Sequence, residues 1–338
     1  MKKSVLFGTL AASALVAGAA AATTLDDVKA RGVLNCGSNI GLTGFGAPDA
    51  DGNYQGFDVD VCKALAAAVL GDQSKVKYVP TTGETRFTAL ASGEVDLLVR
   101  NSTWTFSRDT DLKFDFVAVN YYDGQGFMVK KDLGVSSAKE LDGATVCIQT
   151  GTTTELNLAD FFKSNNITYT PVTVADDGEA QRQFLAGACD AYTTDASGLA
   201  ATRATLPAPG DYIILPEIIS KEPLGPVVRH GDNQWGDIVR WTYFALVVAE
   251  EKGITKANIE EVAASTQDPE IRRLLGIEGD MGKMMGLDNE WAKRAIAANG
   301  NYGEIFEANI GSSTPIGLAR GLNALWTQGG LQYAPPFR

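Results

Sequence analysis

Val95-Asp96-Leu97-Leu98-Val99, followed at Asn101-Ser102-Thr103-Trp104-Thr105-Phe106-Ser107-Arg108, decides the fold. A short apolar run reads as a buried strand. It gives way to a polar turn with hydroxyls at 102, 103 and 105 and a guanidinium at 108. A strand end followed by a helix start offers free backbone N–H groups to an anion. A guanidinium adds a planar fork that matches a carboxylate. Loops at the carboxyl ends of parallel strands are where α/β proteins hold ligands. The stretch therefore reads as a carboxylate cradle. Taken alone, it also reads as a surface arginine beside a Ser/Thr helix cap, and only the surrounding pattern decides between the two.

Working outward, residues 33–38 form a strand pattern, and Phe57, Val61, Leu65 and Val69 mark one face of a helix. A strand at 76–79 and a helix through residues 86–90, with Gly93 after it, lead to the quoted stretch. This β-α-β-α-β order specifies a parallel sheet. After Tyr121-Tyr122-Asp123-Gly124 the pattern restarts. A strand at 144–148 runs into Gln149-Thr150-Gly151-Thr152-Thr153-Thr154-Glu155, again a strand end opening a helix. A strand at 170–174, a helix at 179–186 and a strand closing on Asp195 complete a second unit. Two similar units predict an α/β chain of two lobes around a cleft. Arg108 and Thr103 come from one side, Thr152 and Asp195 from the other. A fixed cation facing a fixed anion suits a zwitterion, with its carboxylate on Arg108 and its ammonium on Asp195. Trp104, pointing away from Thr103 in an extended segment, is expected in the core. The helix at 237–251 is expected to bury Trp241 and Phe244.

Composition narrows the class. The chain has 338 residues, a formal charge of −12 and one histidine, His230. An acidic chain is a poor partner for nucleic acid, and one histidine leaves little for a His-based metal centre or acid–base chemistry. No cofactor is called for. Lys2 and Lys3 precede an apolar run that ends in Ala20-Ala21-Ala22, so residues 1–22 read as a cleaved signal peptide and the mature chain as exported. In an oxidising compartment Cys36, Cys62, Cys147 and Cys189 admit three pairings. Pairing within each half, 36–62 and 147–189, is the economical one, with buried free thiols as the alternative.

The motifs, in order, resemble the family 3 solute-binding proteins, the polar amino-acid receptors of ABC importers, and most closely their general L-amino-acid branch. Gly56-Phe57-Asp58-Val59-Asp60 is similar to the family's helix start, and Leu90 to Asp96 to its L-x-S-G-x-x-D. Thr103 to Arg108 matches T-x-T-x-x-R, Gly151 to Glu155 matches G-T-T-x-E, and Asp190 to Asp195 matches D-A-x-x-x-D. The resemblance implies a type II periplasmic-binding-protein fold with a C-terminal helical extension. Residues 23–124 and 222–338 would form lobe 1, and 125–221 lobe 2. It also implies a periplasmic monomer that binds free L-amino acids and delivers them to membrane permease subunits. Thr103, Arg108 and Thr152 would hold the ligand carboxylate, and Asp195, Thr103 and the Asn101 carbonyl its ammonium. Thr153, Gln149 and Asn39 are further wall candidates, as is Glu84. Leu42 and Gly83 stand where the family often has aromatic rings, which predicts a roomy, broadly specific pocket unless Phe45 and Phe87 supply the rings. Two other classes compete. A lyase or dehydratase on this scaffold needs an acid–base pair in the cleft, and a sensory domain needs a membrane span.

Overall fold

The computed structural model describes residues 23–338. The expected signal peptide lies outside them. Helix Thr24–Arg31 starts in a capping box, with Thr23 and Asp26 each bonding the other's backbone N–H, and stops at the left-handed Gly32. Two five-stranded sheets follow, and each repeats the same plan.

In the first sheet the strands lie in the order Val76–Pro80, Leu34–Ser38, Leu97–Leu98, Val227–Arg229, Phe114–Phe116. The first three are parallel, and Val227–Arg229 runs antiparallel between its neighbours. In the second sheet the order is Tyr169–Val174, Ala144–Gln149, Ala191–Asp195, Gln125–Lys130, Tyr212–Ile214, again with one strand inserted antiparallel. The central strands are buried because helices cover both faces, as the parallel order requires. The chain crosses between sheets twice. The two crossings, Tyr121–Asp123 and Glu222–Leu224, pair with each other as an antiparallel ribbon.

Helix Phe57–Leu70 packs on the first sheet. It can start only after a glycine: Gly56 has φ 135°, and a Cβ there would come within 2.3 Å of the Phe45 carbonyl oxygen. The residues after the second crossing return to this side. Helix Trp291–Asn299 packs on Phe57–Leu70, and helix Asn233–Glu251 packs on both. One hydrophobic cluster joins Leu25, Phe57, Trp235, Tyr243, Trp291, Phe306 and Phe337. The buried aromatics of Asn233–Glu251 are thus Trp235 and Tyr243. The expected Trp241 and Phe244 are only partly buried, with Trp241 against Phe337 of the C-terminal tail.

All four cysteines are bonded. Cys36–Cys62 ties strand Leu34–Ser38 to helix Phe57–Leu70, and Cys147–Cys189 closes a loop within the second sheet's half. No helix among the described residues is long and apolar enough to cross a membrane.

Candidate functional site

The two sheets point their strand ends at one another, and the site forms where they meet. On the first side, strand Leu97–Leu98 ends three residues before Asn101, which takes a left-handed conformation (φ 43°). Asparagine tolerates that conformation better than most residues. The turn breaks strand alternation, so Arg100, Asn101 and Thr103 all line one cavity. Its backbone N–H is held by Asp58 at 3.0 Å, and its side-chain oxygen accepts from Asn39 at 3.0 Å.

On the second side, Thr152 caps helix Thr153–Ser164 by accepting the Glu155 N–H, and also donates to the Gln149 carbonyl at 2.8 Å. Gln149 is pinned in turn to the Ala175 carbonyl. Asp195 ends strand Ala191–Asp195, 6% exposed.

The sides touch. Asn101 Nδ2 lies 3.4 Å from Asp195 Oδ2, and the Thr103 and Thr153 hydroxyls lie 3.4 Å apart. Further out, Thr150 donates to Glu84 at 3.0 Å. Gly83 is pressed against the opposite loop: a Cβ there would meet the Thr150 carbonyl at 3.0 Å and Thr152 Cγ2 at 3.2 Å. The cavity left between the sides is about 20 Å³ and is lined by both. That is room for a water molecule but not an amino acid, so a ligand enters only if the sides part.

Charge is concentrated here. Burial, followed by the charges of Asp123 and Glu222, holds the Asp195 carboxyl well above the usual carboxylate range. Asp123 is pushed up to about 6, chiefly by burial. Asp58 is also raised to about 6 by burial, against its bonds from Asn120 and Asn101. Arg108 is drawn down to about 10 by burial. Its guanidinium donates to the Thr103 carbonyl at 2.9 Å and lies over the Phe87 ring, 5.0 Å from its centroid.

Most sequence-selected residues converge here. Asn101, Thr103, Gln149, Thr152, Thr153 and Asp195 line the cavity. Arg108 sits just behind the wall, on helix Phe106–Thr110 rather than on a loop, and is buried. Asn39 and Leu42 line an adjoining cavity of about 210 Å³, with Leu42 near Gly198 of the other side. Phe45 supplies no ring to the site, being packed in the core against Phe57 and Tyr121. Phe87 lies beneath Arg86 and Arg108 instead. Trp104 is not core: it is 40% exposed, stacked on Phe116 and bonded to Asp109. His230 pairs with Asp115 at 3.2 Å, and neither residue lines the cavity. Sequence reasoning missed Arg86, Arg100 and Asp177 on the wall. The only available signal was a charged residue at a strand end or in a helix's first turn.

The chain matches the family "Bacterial extracellular solute-binding proteins, family 3" over residues 34–275. It is 81% identical over 338 residues to the glutamate/glutamine/aspartate/asparagine-binding protein BztA of Rhodobacter capsulatus, covering 100% of both chains. It is 60% identical over 342 aligned positions to the general L-amino acid-binding periplasmic protein AapJ of Rhizobium johnstonii, again covering 100% of each. Among solved structures it is similar to an ABC transporter periplasmic binding protein from Brucella ovis with glutathione bound. The TM-score is 0.91 at 55% identity, covering 94% of this chain and 100% of that one. These relatives are named for binding and not for catalysis, which sets the lyase reading aside. Two similar lobes, paired crossings, a polar interlobe cavity and these full-length likenesses lead to one assignment: the chain belongs to the bacterial extracellular solute-binding proteins, family 3.

Proposed function

We propose that this protein is a periplasmic receptor that captures free L-amino acids between its lobes and delivers them to the permease subunits of an ABC importer, acting as a monomer. Lobe 1 comprises residues 23–124 and 222–338, and lobe 2 residues 125–221. The observation that carries the reading is a buried carboxylate, Asp195, on the wall of an interlobe cavity, with a buried guanidinium, Arg108, just behind the wall on the other side. Arg108, Thr103 and Thr152 hold the ligand carboxylate. Asp195, Thr103 and the Asn101 carbonyl hold the ammonium. Asn39, Leu42, Gly83, Gln149 and Thr153 complete the wall. Closure takes both charges out of water as pairs, which makes the match to a zwitterion strict. More than one side chain is accepted. The names of BztA, with four amino acids, and of AapJ support that breadth.

Calorimetric titration of the purified chain with a panel of L-amino acids tests this. Several should bind, and an amino-acid amide or a des-amino acid should bind poorly. A protein that gave no binding with any amino acid, or that bound the amide as well as the acid, would end the reading. Fractionation of expressing cells should find the mature chain in the periplasm.

A further inference from the structure

Two guanidiniums on the cavity wall lack a contacting counter-ion. Arg100 is 2% exposed and Arg86 is 3% exposed, and both line the cavity. The Nε of each has no hydrogen-bond partner. Neither is in a salt bridge among the described residues. Arg86 makes one long bond, from Nη1 to Ser102 Oγ at 3.4 Å. A guanidinium stays charged, and a buried one with no anion in contact is unfavourable.

The nearby acids do not account for both. Asp58 has its two oxygens taken by the Asn101 N–H and the Asn120 amide. Asp195 is committed to the ligand ammonium. Asp177, in the first turn of helix Asp177–Leu185, is the remaining carboxylate on the wall. Arg86 and Arg100 together therefore face one free acid across the cleft, leaving one positive charge for something that enters. Arg108 is separately engaged with the Thr103 carbonyl and serves the ligand's α-carboxylate.

Building on the amino-acid receptor reading, we propose that Arg100, with Arg86 beside it, is the specificity-determining residue that receives an oxygen at the end of the ligand's side chain. A side-chain carboxylate accepts two parallel N–H bonds and supplies the missing charge. An amide supplies one acceptor oxygen and no charge. An alkyl side chain leaves the guanidinium buried and unpaired. The site thus ranks acidic side chains above amides and amides above alkyl chains of equal length.

The test uses the full chain and three ligands of nearly equal length, L-glutamate, L-glutamine and L-norvaline, titrated calorimetrically at pH 7.5. Wild type should bind glutamate at least roughly 30-fold more tightly than norvaline, with glutamine between, since a site built around a polar partner discriminates strongly against its loss. Arg100→Met should remove most of that preference, lowering glutamate affinity by roughly 30-fold and norvaline affinity by less than about threefold. Arg100→Lys should keep part of the glutamate preference. Equal losses for all three ligands would make Arg100 a structural support and overturn the proposal. Wild type binding norvaline as tightly as glutamate would overturn it without any variant, so the ligand series decides even if Arg100→Met fails to fold. A wild type that binds no amino acid would overturn the receptor reading, and this proposal with it.

Discussion

Asp195→Asn should move affinity and stability in opposite directions. The side chain is buried at the end of strand Ala191–Asp195, and burial and the charges of Asp123 and Glu222 hold its carboxyl well above the usual range. Asp123 gives the scale. Its rise from 3.8 to about 6 corresponds to a penalty on the order of 3 kcal/mol at about 1.4 kcal/mol per pH unit. An amide of the same shape at 195 removes one member of this crowded group. The ligand-free variant should then be more stable at pH 7.5 by about 1–2 kcal/mol, a part of that penalty. The pH sign follows from the direction of the shift. A folded-state pKa above the unfolded value gives stability that is full below the unfolded value and is lost as pH rises through the folded one. Wild type therefore loses stability as pH rises above the ordinary carboxylate range, the variant, which lacks the raised Asp195 carboxyl, loses less, and the gap between their melting temperatures widens with rising pH. Binding goes the other way. Removing one partner of a desolvated charge pair costs roughly 2–5 kcal/mol, or ~30- to 5,000-fold in affinity. Thermal unfolding at pH 4 and 7.5, with calorimetry of L-glutamate, measures both. A variant that binds like wild type, or whose melting difference does not change with pH, would refute the reasoning.

Affinity for amino acids should fall as pH drops from 7 to 5. Asp195, held above the usual carboxylate range chiefly by burial, must be deprotonated to receive an ammonium. Titrations in two buffers of different ionisation enthalpy should therefore report proton release on binding, and proton uptake would contradict this. Gly83→Phe should weaken binding by at least about tenfold while leaving the melting temperature within a few degrees, because a ring there meets Thr150 and Thr152 only when the lobes close; unchanged affinity would mean closure is looser than described. Replacing both Cys36 and Cys62 by serine should cost about 3 kcal/mol of stability for a sequence separation of 26, read by denaturant unfolding, with little change in affinity. Small-angle scattering should show compaction on saturation with L-glutamate, since the closed cavity of about 20 Å³ must open to load.

The parts of the site legible in the sequence were those set by local chemistry. Thr152 announces a helix start, and Asp195 ends an apolar strand. Both keep those roles in the structure, because a cap and a strand end depend only on neighbours in the chain. The pairing of cysteines within each half was legible because each bond stays inside one βαβαβ unit. Arg86, Arg100 and Asp177 were not legible. They come from a helix's first turn, a strand end and a second helix's first turn, and only the sheet order brings them together. In each local pattern a charged residue reads as solvated. The misplaced aromatics fail similarly. Helix Asn233–Glu251 has aromatics on more than one face, and which is partly covered depends on Phe337, some hundred residues downstream. Trp104 was assigned to the core by alternation with Thr103, but the face opposite Thr103 is open to solvent there and the ring stacks on Phe116 instead.

Both halves of the site are bonded directly to the crossings. Asp195 is paired in register with Gln125, and the next residue, Ala196, donates its N–H to the Gly124 carbonyl at 2.7 Å. Ser197 bonds the Asp123 carboxylate. On the other side Thr103 bridges Leu224, and Trp104 donates its N–H to the Pro223 carbonyl at 2.8 Å. The contacts proposed for the ligand's charged head therefore lie close to the crossings, the proposed axis of lobe rotation, while Glu84 meets Thr150 farther out. For a rigid rotation, displacement grows with distance from the axis. Opening that parts the outer contacts widely moves Asn101 and Asp195 much less. An entering amino acid can thus engage Asp195 and Thr103 before the outer loops meet, and the outer contacts, which do not touch its charged head, form last and hold the lobes shut. Substitutions at the outer loops should act on how completely the lobes close, and substitutions at Asp195 and Arg108 on whether the head is held at all.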